Sequence, residues 1–96
     1  MKHIVWSPLF SMKLNQILMY IYKDDPLTAT RILDEIEDIL SIVSTFPEIG
    51  KIATNLNDVN TREILIRGIY KLVYEVKPTS IRIITISHTK QMNGKH

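Results

Sequence analysis

The 96-residue chain has no cysteine, only three glycines and few aromatic residues. The absence of cysteine excludes a disulfide framework and thiolate metal ligands, and it fits a reducing, cytoplasmic compartment. No apolar run approaches the roughly 20 residues that span a bilayer, and the N-terminus lacks the apolar core and cleavage site of a signal peptide. We therefore expect a single cytoplasmic domain over residues 1–90, a flexible tail over residues 91–96, and no membrane association.

Negative charge is scarce in the C-terminal third of the chain. Residues 64–96 contain six Lys or Arg and a single acidic residue, Glu75, whereas residues 1–63 contain six Lys or Arg and nine Asp or Glu. The formal net charge of +2 therefore conceals a basic third, with a net charge of +5, and a slightly acidic remainder, with a net charge of −3. Such a distribution predicts either an anionic partner for that third or a solvated sheet face and tail.

Two helices are predicted in the first half of the chain. Ser7-Pro8 and Asp25-Pro26 each place a capping residue before a proline, which is a typical helix start. Apolar residues then recur every three or four positions, as far as Lys23 in the first helix and Val43 in the second. Phe46-Pro47 ends the second helix. Because only about three residues connect the helices, we expect them to pack as an antiparallel hairpin.

After an irregular loop predicted at residues 51–60, the hydrophobic period changes to that of strands. Apolar and polar side chains alternate from Tyr70 to Val76, which indicates a half-buried strand. Gly68 and residues 77–80 supply the turns on either side. With a leading strand at residues 2–6 and a last strand at 81–87, the predicted order is β-α-α-β-β-β. The fold class is α+β, with the helix hairpin on one face of a small, antiparallel-rich sheet.

Standard catalytic motifs are absent, and we predict neither a metal site nor a cofactor. The three histidines lie near the chain ends, and the chain has no glycine-rich phosphate loop. The acidic residues of the second helix are interpreted as a solvated face. Trp6, Tyr20 and Tyr22 are predicted to be core and helix-packing residues rather than platforms for stacked bases.

The polar face of the predicted sheet is the more informative surface. Lys71 projects from it, and Arg62, Arg67 and Arg82 lie at the ends of neighbouring strands, so four cations are predicted to share one surface. Such a surface could hold phosphates or an acidic protein segment, and in a dry site it could stabilise the transition state of RNA cleavage. His88, at the end of the last strand, is either a general acid or base or an exposed strand terminus.

Several short segments occur in a characteristic order between Trp6 and Lys90. They are Trp6-Ser7-Pro8, Tyr20-Ile21 with Asp25-Pro26 and Ala29, Phe46-Pro47-Glu48-Ile49-Gly50, Thr61-Arg62-Glu63, Tyr70-Lys71-Leu72-Val73-Tyr74-Glu75-Val76, Ile81-Arg82-Ile83 and Ser87-His88. In this order and spacing they resemble the RelE/ParE superfamily of bacterial type II toxins. The resemblance implies the same β-α-α-β-β-β fold. It also implies a toxin that an antitoxin neutralises by wrapping an extended segment around it, in a hetero-oligomeric complex.

Two mechanisms coexist in that superfamily. RelE-like members are ribosome-dependent mRNA endoribonucleases, and the resemblance would make Arg62, Lys71 and His88 their catalytic counterparts. ParE-like members inhibit DNA gyrase by binding and need no such cluster. Lys71 stands where the nucleases usually have Arg, and Lys cannot hold a phosphate bidentately. The tyrosine that the nucleases tend to carry after the last strand is also missing, because no tyrosine follows Tyr74.

We therefore predict a ParE-like toxin, not itself an enzyme, whose partners are a cognate antitoxin and DNA gyrase. The alternatives are a RelE-like endoribonuclease that acts on mRNA in the ribosome, and an inactive member that only binds an antitoxin. The residues predicted to contact the target or the antitoxin are Arg62, Arg67, Lys71, Arg82, His88 and Lys90.

Overall fold

The chain folds into two helices and a five-stranded sheet in the computed structural model, which describes residues 1–53 and 58–90. The elements are β1 (His3–Trp6), α1 (Pro8–Asp24), α2 (Pro26–Thr45), β2 (Lys51–Ile52), β3 (Thr61–Ile66), β4 (Tyr70–Val76) and β5 (Ser80–His88), with a 3-10 turn at Pro47–Ile49 after α2. The predicted α+β fold, with the helix hairpin packed against the sheet, is confirmed. The predicted tail at residues 91–96 lies outside the described residues.

Both helices begin where the sequence predicts. The Ser7 hydroxyl accepts a hydrogen bond from Phe10 N at 3.0 Å and donates one to Ile84 O at 2.7 Å, so the cap of α1 also ties the helix to β5. Asp25 caps α2 by accepting from Thr28 N at 3.1 Å. A single residue, Asp25, connects the two helices, which is shorter than predicted. The helices therefore turn back on each other directly.

The sheet has the strand order β1-β5-β4-β3-β2. Strands β3, β4 and β5 form the predicted antiparallel meander, and β1 pairs with β5 in parallel. The prediction of an irregular loop was wrong at its first two residues, which form β2 against β3. Two residues are too short to show an alternating pattern. Residues 51 and 52 form a strand because they pair with the edge of β3, and this is a contact between segments that are separated along the chain.

The turn between β3 and β4 has an unusual backbone. Arg67 and Gly68 both have positive φ angles, of 58° and 68°, as in the mirror-image turns that match the twist of a hairpin. Ile69 N donates to Ile66 O at 3.1 Å across the turn. Gly68 adopts this conformation without a steric penalty, whereas an arginine does so at a cost.

The core lies between the helix hairpin and one face of the sheet. Its fully buried side chains include Phe10 of α1, Ile36 and Val43 of α2, and Leu72, Tyr74, Ile81, Ile83 and Ile86 of the strands.

Three aromatic residues were predicted to be core and helix-packing residues, and the core placement is wrong for Tyr20 and Tyr22. Tyr20 and Tyr22 are 77% and 59% exposed, because they flank the buried stripe of α1 on its two sides. Trp6 is partly exposed and packs edge-on against Phe10, with ring centroids 5.0 Å apart.

Candidate functional site

The sheet register places the predicted cations on two opposite faces of the sheet. Arg62 pairs with Tyr74, and His88 pairs with Tyr70. Both tyrosines are buried under the helices, so Arg62 and His88 also lie on the helix-covered face. Lys71 follows Tyr70 on β4 and therefore projects from the opposite, open face. Arg82 pairs with Glu75 and shares the open face with Lys71, so the prediction that four cations share one surface is wrong for Arg62, because side chains alternate along each strand.

Arg62 is occupied by backbone carbonyl groups. Its Nη1 donates to Gly50 O at 2.7 Å and to Glu48 O at 3.2 Å. These bonds attach the segment that follows α2 to the first part of β3. Arg62 therefore has a structural role. Its Nη1 would have to give up these two hydrogen bonds to bind a phosphate.

Tyr74 holds the same segment from the neighbouring strand. Its hydroxyl donates to Pro47 O at 2.6 Å and accepts from Gly50 N at 2.9 Å. Burial raises the pKa of the Tyr74 hydroxyl, which keeps its proton available for donation. Gly50 has no room for a side chain, because a Cβ there would lie 2.6 Å from Tyr74 Oη and 2.9 Å from Glu63 O.

Two further cations are paired with carboxylates. On the open face, Lys71 Nζ lies 3.0 Å from Glu63 Oε2, and both side chains are largely shielded from solvent. At the β3–β4 turn, Arg67 Nε donates to the two carboxylate oxygens of Glu35 on α2, at 2.9 and 3.0 Å. These hydrogen bonds lower the pKa of Glu35. The ion pair also ties the β3–β4 turn to α2.

Arg82, Lys90 and His88 are the remaining predicted contact residues. Arg82 and Lys90 are exposed, and within residues 1–53 and 58–90 neither forms an ion pair. His88 Nδ1 accepts from Lys90 N at 3.1 Å, and its ring meets Tyr70 edge-on with centroids 5.5 Å apart. Because Nδ1 is the acceptor, a neutral His88 carries its proton on Nε2. That nitrogen can donate a hydrogen bond to a bound group.

The three residues that RNA cleavage would require do not meet. The β4 partners of Arg62 and His88 are four residues apart, which is roughly 13 Å of strand. Lys71 lies on the opposite face and is paired with Glu63. Arg62, Lys71 and His88 therefore form no cluster in which two cations stand beside a general acid or base.

A groove between α1 and the adjoining ends of β4 and β5 was missed by sequence reasoning. It has a volume of about 670 Å³ and is called the α1–β5 groove below. It is lined by Lys13, Gln16, Ile17, Tyr20, Ile21, Tyr70, Ile86, Ser87, His88 and Lys90. The α1 members follow the i, i+3, i+4, i+7, i+8 spacing of one helix face, which is visible in the sequence. Only the fold shows that this face meets His88 and Lys90.

Other kinds of site find no support in the part of the chain that the structure describes. Within it, no group of three His, Asp or Glu side chains is arranged to hold a metal ion. Its helices include none that combines the length and the apolar composition needed to cross a membrane.

Comparison with known proteins agrees with the fold. A protein described as "Chromosomal ParDE TA system from P. aeruginosa" has a similar structure, with a TM-score of 0.74 and 17% identity over 92% of this chain and 96% of that one. A conserved hypothetical protein from Helicobacter pylori gives a TM-score of 0.48 and 15% identity over 92% of this chain and 94% of its own. No curated protein sequence matches the chain significantly.

The family model described as "ParE toxin of type II toxin-antitoxin system, parDE" matches residues 4–93. This match covers nearly the whole chain, and it confirms the resemblance to the RelE/ParE superfamily. The chain belongs to the ParE toxin family of type II toxin-antitoxin systems.

Proposed function

We propose that the protein inhibits DNA gyrase by binding to it, and that a cognate antitoxin neutralises it in a hetero-oligomeric complex. Membership of the ParE toxin family is the observation that carries this proposal. The similar structure from P. aeruginosa belongs to a ParDE system, which supports an antitoxin as the partner of this chain.

The placement of the cations favours inhibition by binding over RNA cleavage. Stabilising a transition state requires several donors aimed at the same developing charge. Arg62 is bonded to carbonyl groups, Lys71 is paired with a carboxylate, and His88 lies on the other face of the sheet from Lys71. This arrangement is better suited to a protein contact than to a nuclease site.

Arg82 and Lys90 are the cations that we propose to meet acidic groups of a partner. Both are exposed, and neither has a carboxylate partner within residues 1–53 and 58–90. Arg67 and Lys71 would first have to leave their ion pairs, and Arg62 would have to release two carbonyl oxygens. Contacts through Arg82 and Lys90 therefore require no ion pair among the described residues to break.

A supercoiling assay tests the proposed target. The purified protein is added to DNA gyrase, ATP and relaxed plasmid, and we expect supercoiling to fall and cleaved plasmid to accumulate after protease treatment. No effect on gyrase, together with mRNA cut in translating ribosomes, would identify a RelE-like endoribonuclease instead. No effect in either assay, with an antitoxin still bound, would identify an inactive antitoxin-binding member.

A matched pair of variants tests the proposed contact. Arg82→Gln removes an exposed charge from the open sheet face, and Arg31→Gln removes a charge from α2 that is also exposed. Loss of one rim charge mainly slows association, so we expect about a threefold to tenfold rise in the concentration of Arg82→Gln needed for half inhibition. We expect Arg31→Gln to behave as wild type. Identical inhibition curves for both variants would exclude Arg82 from the gyrase contact.

A further inference from the structure

The two edges of the sheet differ in how well they are protected from further strand pairing. In the described part of the chain, β2 forms one edge with only two residues, of which one is Lys51. Short edge strands and lysines both hinder pairing with another strand. At the other edge, β1 has four residues and includes no lysine, carboxylate or proline. The edge at β1 is therefore the one that can accept another strand.

The backbone groups that β1 turns outward follow from its pairing with β5. The N–H groups of His3 and Ser7 both donate toward β5, at 3.4 and 3.1 Å. Successive residues of a strand direct their N–H and C=O groups to opposite sides. Val5 therefore also faces β5, whereas Ile4 and Trp6 face away from the sheet. Each of these two residues offers one donor and one acceptor at the edge.

This free stretch of edge is limited at both ends. The backbone of Lys2 is already bonded to α2, because its N–H donates to Ser44 O at 3.0 Å and its carbonyl oxygen accepts from the Ser44 hydroxyl. Beyond Trp6 the chain turns into α1, where Pro8 has no N–H. A long extended segment would therefore run against the end of α2 or the start of α1. A strand that fits must be short and must turn away at both ends, as β1 itself does.

Apolar side chains accompany the free edge on both faces of the sheet. Val5 is 39% exposed and lies beside Arg82 on the open face. Trp6 is 42% exposed on the helix-covered face, where it packs against Phe10. An apolar edge strand that is left exposed favours association with another strand. Pairing at this edge would cover both side chains.

We propose that β1 pairs with β1 of a second copy of this chain, antiparallel and about a two-fold axis at Val5, so that the two sheets become continuous. In this register Ile4 lies opposite Trp6 of the second copy, and the two copies of Val5 lie opposite each other. Each Ile4–Trp6 pair exchanges both of its N–H···O bonds, so every outward backbone group is used. The two surfaces are identical, as a closed dimer requires. The inference depends on neither gyrase nor an antitoxin as partner.

The neighbouring registers would leave outward groups unpaired. A shift in one direction places Trp6 opposite Lys2, whose backbone is bonded to Ser44. A shift in the other direction places Ile4 opposite Pro8, which cannot donate. The proposed register also brings Trp6 over Ile4 and joins two valines, and such aromatic and β-branched side chains form favourable cross-strand pairs.

Sedimentation of the full chain over concentrations from about 1 µM to 1 mM measures the association. Val5→Lys is the blocking variant, because it would place two lysines opposite each other with Arg82 beside each of them. Ile52→Lys is the matched control, because Ile52 is a similarly exposed apolar residue, at 43%, on the opposite edge. Thermal unfolding of both variants checks that the fold is retained.

A cysteine at the two-fold axis tests the register. The chain has no cysteine, so Val5→Cys introduces a single thiol. The Cα atoms of a non-hydrogen-bonded antiparallel pair are about 4.5 Å apart, which is within the range that a disulfide requires. Mild oxidation should therefore cross-link Val5→Cys into a dimer faster than it cross-links Ile52→Cys, the matched control.

We expect the mass of the wild-type protein to rise with concentration from 11.1 kDa toward twice that value. The amide protons of Ile4 and Trp6 should become protected from exchange over the same concentrations, because they enter hydrogen bonds. Val5→Lys should weaken the dimer Kd by at least about tenfold, since like charges meet at the axis. Ile52→Lys should stay within about twofold of wild type.

Four results would overturn the inference. The first is a wild-type mass that stays at 11.1 kDa at every concentration. The second is an equal loss of association in Val5→Lys and Ile52→Lys, which would assign the dimer to another surface. The third is cross-linking of Val5→Cys no faster than that of Ile52→Cys, which would exclude a two-fold axis at Val5. The fourth is protection of the outward amide protons only after the product of the adjoining reading frame is added, which would make that protein the occupant. Gyrase inhibition is judged by its own assay in each case.

Discussion

Replacing Tyr74 with Phe tests whether a single hydroxyl attaches the segment after α2 to the sheet. The side chain is fully buried, and the substitution keeps its ring while removing one oxygen. Pro47 O then loses its donor at 2.6 Å, and Gly50 N loses its acceptor at 2.9 Å. The change therefore leaves two backbone groups without these partners and disturbs little of the packing.

The expected loss follows from those two groups. A buried polar group left without a partner costs about 1 to 3 kcal/mol. Pro47 is half-buried, so water can reach its carbonyl group and the lower value applies there, whereas Gly50 is buried and its N–H takes at least that value. The free energy of unfolding should therefore fall by at least about 2 kcal/mol. In a domain of this size, that lowers the Tm by roughly 8 to 16 °C.

Urea unfolding followed by circular dichroism measures this loss, and Tyr70→Phe is the matched control. Tyr70 is a buried tyrosine on the same strand and face, and its hydroxyl makes no hydrogen bond within residues 1–53 and 58–90. Its replacement should cost less than about 0.5 kcal/mol. A loss from Tyr74→Phe as small as that of the control would refute the role assigned to the hydroxyl.

Two further predictions concern the same segment and the ion pair at the β3–β4 turn. Gly50→Ala should cost about 1 to 3 kcal/mol, because the new methyl group would lie 2.6 Å from Tyr74 Oη and 2.9 Å from Glu63 O; unchanged urea stability would contradict this packing. The hydrogen bonds from Arg67 lower the pKa of Glu35, so their contribution is present above the ordinary carboxyl pKa and is lost as the pH falls through the lowered value. Wild type should therefore lose stability more steeply than Glu35→Gln between about pH 5 and 3, and parallel curves of unfolding free energy against pH would rule out this linkage.

The helices could be predicted because their signals are local. Ser7-Pro8 and Asp25-Pro26 each combine a side chain that caps the first turn with a proline whose missing N–H the first turn does not need. The apolar residues of each helix recur at the helical period, so the buried face of each helix could also be predicted. Strand β4 could also be predicted from a local signal. Its apolar and polar side chains alternate because the helices cover only one face of the sheet.

The candidate site could be predicted only as a set of residues and not as an arrangement. Arg62, Lys71 and His88 are close to strand ends in the sequence, but the face that each occupies depends on its register with the neighbouring strand. The carboxylate partner of Arg67 lies on α2, 32 residues away. No local pattern contains such information, because these contacts are formed between elements that are distant along the chain.

The sequence by itself determined the helix hairpin, the antiparallel meander and the resemblance to a toxin family, because each depends on caps, periodicity or ordered motifs along the chain. Only the tertiary structure decided which cations are available. It paired Arg67 and Lys71 with carboxylates and turned Arg62 toward backbone carbonyl groups. It also brought one face of α1 against the end of β5 to form the α1–β5 groove. Partner choice and groove formation depend on how separate elements pack, which residue order alone does not specify.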